Sequence, residues 1–166
     1  ATANADFLLK AAAAGQDARQ FIRRKDNKGR AYLSFFDTDN SYSWYTGLLR
    51  GSGNKYAIGT ADDFSNAGTK LVIDSSGNVG IGVTPESWHA NWTALQLGAT
   101  GFVGQYHLNA TDITGLGSNI YSDGTYRYIE TDEAAMIRLQ NGEILLSVAA
   151  SGSADAAISW TTAMTI

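Results

Sequence analysis

Sixteen Asp and Glu, two His, four Trp, eight Tyr and six Phe carry whatever chemistry this chain performs. Flat rings bind the apolar faces of sugar rings, while nearby amides, carboxylates and guanidinium groups hydrogen-bond the hydroxyls. Two segments have that composition. In one, Tyr42, Trp44 and Tyr45 follow Asp39 and Asn40; in the other, Tyr126 and Tyr128 flank Arg127. These eight residues are the candidate glycan-binding set. Strand alternation places Tyr42 with Trp44, and Tyr126 with Tyr128, on one face. The same rings also suit a sheet core or an interface between chains, and Trp88, Trp92 and Trp160 read as packing anchors.

Catalysis has weaker support. A glycosidase needs two carboxyl groups set across a sugar. Asp123, Glu130, Asp132 and Glu133 lie near Tyr121, Tyr126 and Tyr128, the best acidic and aromatic concentration in the chain, yet spacing along the chain does not set their separation. His89 and His107 belong to no His-x-x-x-His or similar metal pattern and read as structural. Asp37-Thr38-Asp39-Asn40 offers oxygen ligands but lacks the glycine and distal glutamate of a calcium loop. Asp62-Asp63 reads as a solvated loop. No cysteine is present, so thiol chemistry is absent. We therefore expect no catalytic residue, no metal and no cofactor.

The elements that must position these residues are short strands. Only residues 1–18 are compatible with a helix, through Phe7, Leu8, Leu9 and the alanines at 11–14, with an extended lead-in as the alternative. From Arg19 onward, short β-branched and aromatic runs are divided by Gly, Asn, Asp and Ser clusters every 8 to 12 residues or so, which is all-β punctuation. Hairpins are expected around Asp26-Asn27-Lys28-Gly29, Gly51-Ser52-Gly53-Asn54, Asp74-Ser75-Ser76-Gly77-Asn78 and Asn141-Gly142. Further strands are expected at 94–97, 102–108, 119–121 and 126–131. Leu71, Ile73, Val79, Ile81 and Val83 alternate as a half-buried pair does. The only proline, Pro85, marks a boundary between a first module at 19–85 and a second at 86–166. Thr162-Ala163-Met164-Thr165-Ile166 repeats the strand that precedes the turn at Asp74, without the turn.

Composition narrows the class. Hydrophobic residues make up 44% of the 166 residues, too many for disorder, and no apolar run nears the roughly 18 residues of a membrane helix. Charged residues reach only 17%, against about 25% in a typical domain, and there are 18 glycines. A surface partly covered by other copies of the chain needs less charge. Net charge is −4, which argues against nucleic acid, although Arg19, Arg23, Arg24, Lys25, Lys28 and Arg30 cluster early. The start, Ala-Thr-Ala-Asn without Met, reads as a processed or excised piece.

The segment Val72-Ile73-Asp74-Ser75-Ser76-Gly77-Asn78-Val79-Gly80-Ile81-Gly82-Val83-Thr84-Pro85 resembles a hairpin signature that recurs in bacteriophage tail fibres and tailspikes. Trp88 and Ala94-Leu95-Gln96-Leu97-Gly98 are similar to its continuation, and 158–166 to the strand that leads into another copy. The resemblance implies an elongated homotrimer in the virion tail, joined to other tail proteins, that meets the lipopolysaccharide or capsule of a bacterial surface without inserting into membrane. It assigns Asp74, Gly77, Asn78, Gly80 and Gly82 to backbone geometry, with Val79 and Ile81 facing a shared core. Physics supports the same assembly, because a hairpin module with one apolar stripe closes no core alone, whereas three copies give each stripe two partners. The expected function is host attachment, as receptor-binding tip or as the shaft presenting it. The alternatives are a fragment of a polysaccharide depolymerase and a purely structural spacer.

Overall fold

The computed structural model describes residues 31–36, 43–49, 54–60, 68–108 and 111–166. The lead-in at 1–18, the hairpin at 26–29, the basic cluster, Asp62-Asp63, and Asp39, Asn40 and Tyr42 lie outside them. Among the described residues the chain is all-β and contains no helix. Its strands are β1 (Ala31–Phe36), β2 (Ser43–Leu48), β3 (Tyr56–Gly59), β4 (Thr69–Ile73), β5 (Val79–Ile81), β6 (Trp92–Leu97) and β7 (Gly101–Leu108). There follow β8 (Thr111–Ser118), β9 (Tyr121–Ser122), β10 (Tyr126–Arg127), β11 (Asp132–Gln140), β12 (Glu143–Gly152) and β13 (Thr161–Thr165). Eleven of them form one sheet in the order β1-β2-β3-β4-β5-β6-β7-β8-β11-β12-β13, and β9 and β10 form a separate ribbon. Neighbours run antiparallel except β5 and β6, which are parallel.

Local chemistry explains the turns. The Asp74 carboxylate accepts from the Ser76 and Asn78 backbone N–H groups at 2.8 and 2.9 Å and from Asn78 Nδ2 at 3.0 Å, closing the β4–β5 hairpin. Gly77 takes a φ of 89° there, and Asn78 is 1% exposed, with Oδ1 accepting from Ala94 N–H at 3.0 Å. That last bond ties the hairpin to β6. Between β11 and β12, Asn141 and Gly142 have φ of 54° and 80°, the double positive φ of a tight two-residue turn.

The segment from Gly82 to Asn91 does more than divide two modules. It crosses from β5 to β6 so that the two pair in parallel and the sheet continues through the expected boundary. Two clusters of buried side chains lie on the sheet, and Trp88 of this segment belongs to the larger. Leu49, Ala57 and Val72 make the smaller, and Trp88, Trp92, Phe102, Ile120, Tyr128 and Met136 are among the members of the larger. Strand β8 carries little sequence signal, because two of its inward-facing positions, Gly115 and Gly117, are glycines. A Cβ on Gly117 would lie 2.9 Å from Ile120 Cδ1, and one on Gly115 3.1 Å from Phe102 Cζ. The strand is glycine-rich because buried rings and branches fill the space over it. The run expected at 119–121 is instead a turn into β9, with Asn119 at a φ of 60° and its amide bonded to the Glu130 and Glu133 carbonyls.

The two faces of the sheet differ in an unusual way. One register row crosses it as Tyr32, Gly47, Ala57, Val72, Gly80, Gln96, Phe102, Gly117, Met136 and Ser147. Half of these are Gly, Ala or Ser, and this is the face that carries both cores. The next row, on the opposite face, runs Ala31, Leu48, Tyr56, Ile73, Val79, Leu95, Val103, Leu116, Ile137, Leu146 and Met164 across all eleven strands. The bulky aliphatic side chains thus point away from the chain's own cores.

Candidate functional site

The first candidate surface is that open face. Among the described residues sixteen large apolar side chains are exposed, and all but Leu108 belong to it by register. Trp44, opposite Phe35, is 48% exposed, and Ile137, on the ninth strand of the apolar row, is 42% exposed. At on the order of 70 Å² of exposed side chain each, the fifteen leave on the order of 1,000 Å² of apolar surface in water. The largest such patch on a typical monomer is about 300–600 Å². Among the described residues the one ionisable pair in register here is His107 opposite Asp112, hydrogen-bonded to each other beside the end pair Leu108 and Thr111 of β7 and β8. Charge stays at the rim.

The second is an aromatic cavity of about 570 Å³ on the opposite face. Its floor is the register triplet Trp92, Tyr106 and Ile113 on β6, β7 and β8. The ribbon of β9 and β10 roofs it through Ser122, Gly124, Thr125 and Tyr126, and His89 closes one side. Ring centroids lie 5.5 Å apart for Trp92 and Tyr106, 6.2 Å for Trp92 and Tyr126, and 6.4 Å for His89 and Tyr106. Leu108, Gly124 and Thr125 are exposed and mark the mouth.

Hydrogen bonds hold this arrangement. His89 N–H donates to the Ser122 carbonyl at 2.6 Å, and Trp92 N–H to the His89 carbonyl at 2.8 Å. His89 Nδ1 accepts from Asn91 N–H at 3.3 Å, so in the neutral ring the proton sits on Nε2. Arg127 Nε donates to Asp123 at 2.7 Å and Nη1 to the Asp155 carbonyl at 2.9 Å, clamping the roof. Hydrogen bonding to Arg127 holds the Asp123 carboxyl below its usual range. Burial pushes the Tyr126 phenol up despite the Arg138 guanidinium beside it, so at neutral pH it keeps its O–H. On β9 itself, Tyr121 donates to Asp155 at 2.9 Å, and burial together with that carboxylate pushes its phenol up to about 12.

The sequence candidates distribute unevenly over these surfaces. Trp44 lies on the open face. Tyr45 points the opposite way and packs edge-on against Tyr32 at 5.8 Å, so this cluster is divided between two faces. Tyr126 lines the cavity, whereas Arg127 is held by Asp123 and Asp155. Tyr128 is 5% exposed and donates to the Ala150 carbonyl at 2.6 Å, which makes it a core residue rather than a ligand contact. Trp88 stacks on Phe102 at 4.8 Å, and Trp160 meets Tyr126 edge-on at 5.9 Å. In the hairpin, Val79 and Ile81 fall on the open face. Gly80 sits where a Cβ would lie 2.2 Å from the Val83 carbonyl oxygen, and Gly82 has a φ of 72°.

Sequence reasoning missed His89, Trp92 and Tyr106 as cavity residues. His89 lies in a connection and the other two on separate strands, and only the β6–β7 register hints that Trp92 meets Tyr106. No protein family, curated protein or solved structure matches the chain.

Proposed function

We propose that this chain is a segment of a homotrimeric phage tail fibre that acts in attachment to bacterial surface carbohydrate. The observation that carries the proposal is the open face, an unbroken apolar row over eleven strands with its bulk turned outward. A stable interface buries about 800 Å² on each partner, and the exposed apolar side chains alone amount to more than that. Other copies of the same chain are the occupant favoured by the low charge content and, among the described residues, the absence of register-paired charge away from the His107–Asp112 end. The number three, and the attachment role, come from the resemblance of the hairpin at 72–85 to tail-fibre repeats. Avidity then supplies the mechanism, since weak sugar contacts repeated on three chains and on several fibres add to firm adsorption.

Light scattering gives the molar mass of the purified chain, and binding of the labelled chain to smooth, capsulated and rough bacterial strains reads the attachment role. A trimer that binds smooth or capsulated cells and not rough ones is the expected result. A compact stable monomer would overturn the fibre assignment. A trimer that binds none of these cells would make the segment a spacer, and shortening of the polysaccharide would make it a depolymerase.

A further inference from the structure

We infer that the copies meet through two different patches of the open face: the rings of Phe35 and Trp44 on one chain seat in a trough over Ser118 and Ala135 on the next. This rests on the homotrimeric reading and deepens it, since exposed area alone does not say which parts of the face touch. The trough is a break in the bulk of that face. A second register row there is Ile or Leu from β3 to β6, falls to Gly101, Ser118 and Ala135 on β7, β8 and β11, and rises again at Val148 on β12. Leu116 and Ile137, 52% and 42% exposed, wall it on one side, and the hollow over β8, β11 and β12 holds about 370 Å³. Ser118 and Ala135 are themselves exposed, so the floor is open.

No ionisable side chain lines the hollow, so what fills it must be apolar, and it must stand proud of its own surface. Phe35 and Trp44 meet both conditions. They lie opposite each other in the register of β1 and β2, and are 59% and 48% exposed. They do not reach the trough of their own chain: β2 and β11 are seven places apart in the sheet order, roughly 34 Å at about 4.8 Å per strand. A ring of three copies needs such a separated pair. In a two-fold dimer one patch meets itself, whereas in a cyclic trimer each copy touches its two neighbours through unlike patches. Aromatic anchors seated in desolvated pockets carry most of the energy of such contacts. Trp44 thereby leaves the glycan-binding set and becomes a contact between chains.

The test uses the full chain, which has no cysteine, so that Trp44→Cys and Ala135→Cys introduce its only thiols. A short bismaleimide, whose reach is far below the span within one chain, is added to the double variant, and the products are separated on a denaturing gel. Covalent dimers and trimers are expected from the double variant and from neither single variant. A second set is read by sedimentation. Trp44→Ala removes the projecting ring and Ala135→Trp fills the trough; each is expected to weaken assembly at least about thirtyfold. Combined in one chain, they are expected to regain at least about tenfold over Ala135→Trp alone, because the added ring enters the space the lost one leaves. Both positions are exposed in a single chain, and unchanged far-UV circular dichroism establishes that each variant is folded. A trimer whose double-cysteine variant does not cross-link, cross-linking by a single variant, or no recovery in the combined variant would each overturn the contact and leave the trimer standing. A monomeric wild-type chain would overturn the trimer itself, and this contact with it.

Discussion

Ile137 sits on β11, within the apolar row, in register with Leu116 on one side and Leu146 on the other, and is 42% exposed in a single chain. Replacing it with Lys separates the chain's own stability from the stability of its assembly. In a lone chain the ammonium reaches water from a half-open sheet face, and the change costs no more than about 1 kcal/mol. In an assembly that covers the face, each copy buries an unpaired charge, which costs about 3–5 kcal/mol. Three copies together lose about 9–15 kcal/mol, or six or more orders of magnitude in the association constant. Sedimentation velocity over a wide concentration range reads the outcome. Wild-type chain is expected as a trimer throughout, and Ile137→Lys as a folded monomer with unchanged far-UV circular dichroism. If the variant remains a trimer of undiminished stability, the open face is not the interface and the reasoning from its exposure fails.

Two glycines of the β4–β5 hairpin differ in what they tolerate. Gly80→Ala forces a Cβ to 2.2 Å from the Val83 carbonyl oxygen and is expected to cost about 3 kcal/mol, whereas Gly77→Ala meets nothing within 4 Å and costs only about 1 kcal/mol for its positive φ. Chemical denaturation of the two variants side by side checks the order. Asp74→Ala removes three hydrogen bonds from the same turn, with an expected loss of about 2–3 kcal/mol and a fall in Tm of about 5–10 °C by calorimetry. Tyr121 is raised from 10.0 to about 12 in the fold, so its protonated phenol contributes stability that is fully present below pH 10 and lost as pH rises toward 12. The alkaline stability limb should flatten over that window in Tyr121→Phe, as read by urea denaturation at each pH.

Much of the strand layout is legible in the chain because turn chemistry and two-residue alternation act over a few neighbours. Asp74 with Gly77 and Asn78, Asn141 with Gly142, and the runs at 71–73, 79–81 and 143–148 all carry that local signal. The same locality explains the misses. In β8, Gly115 and Gly117 answer to Phe102 and Ile120, which approach from other parts of the chain, so its glycines read as loop. Tyr128 looks like a partner of Tyr126 until the Ala150 carbonyl takes its hydroxyl from across the fold. The cavity was illegible for a similar reason, since His89, Trp92, Tyr106 and Tyr126 share no periodicity and meet through the β6–β7 register and the ribbon above it.

By itself the amino-acid order determined that this protein is built of short strands, where its tightest turns fall, and that it carries too little charge for an ordinary surface. Only the tertiary structure decided which face of each strand the chain covers for itself. Alternation places side chains on two sides of a sheet but does not say which side receives the crossing connections. Here Trp88, Ile120 and Tyr128 fold onto the face of small residues, and the Leu, Ile and Val side chains are left facing outward.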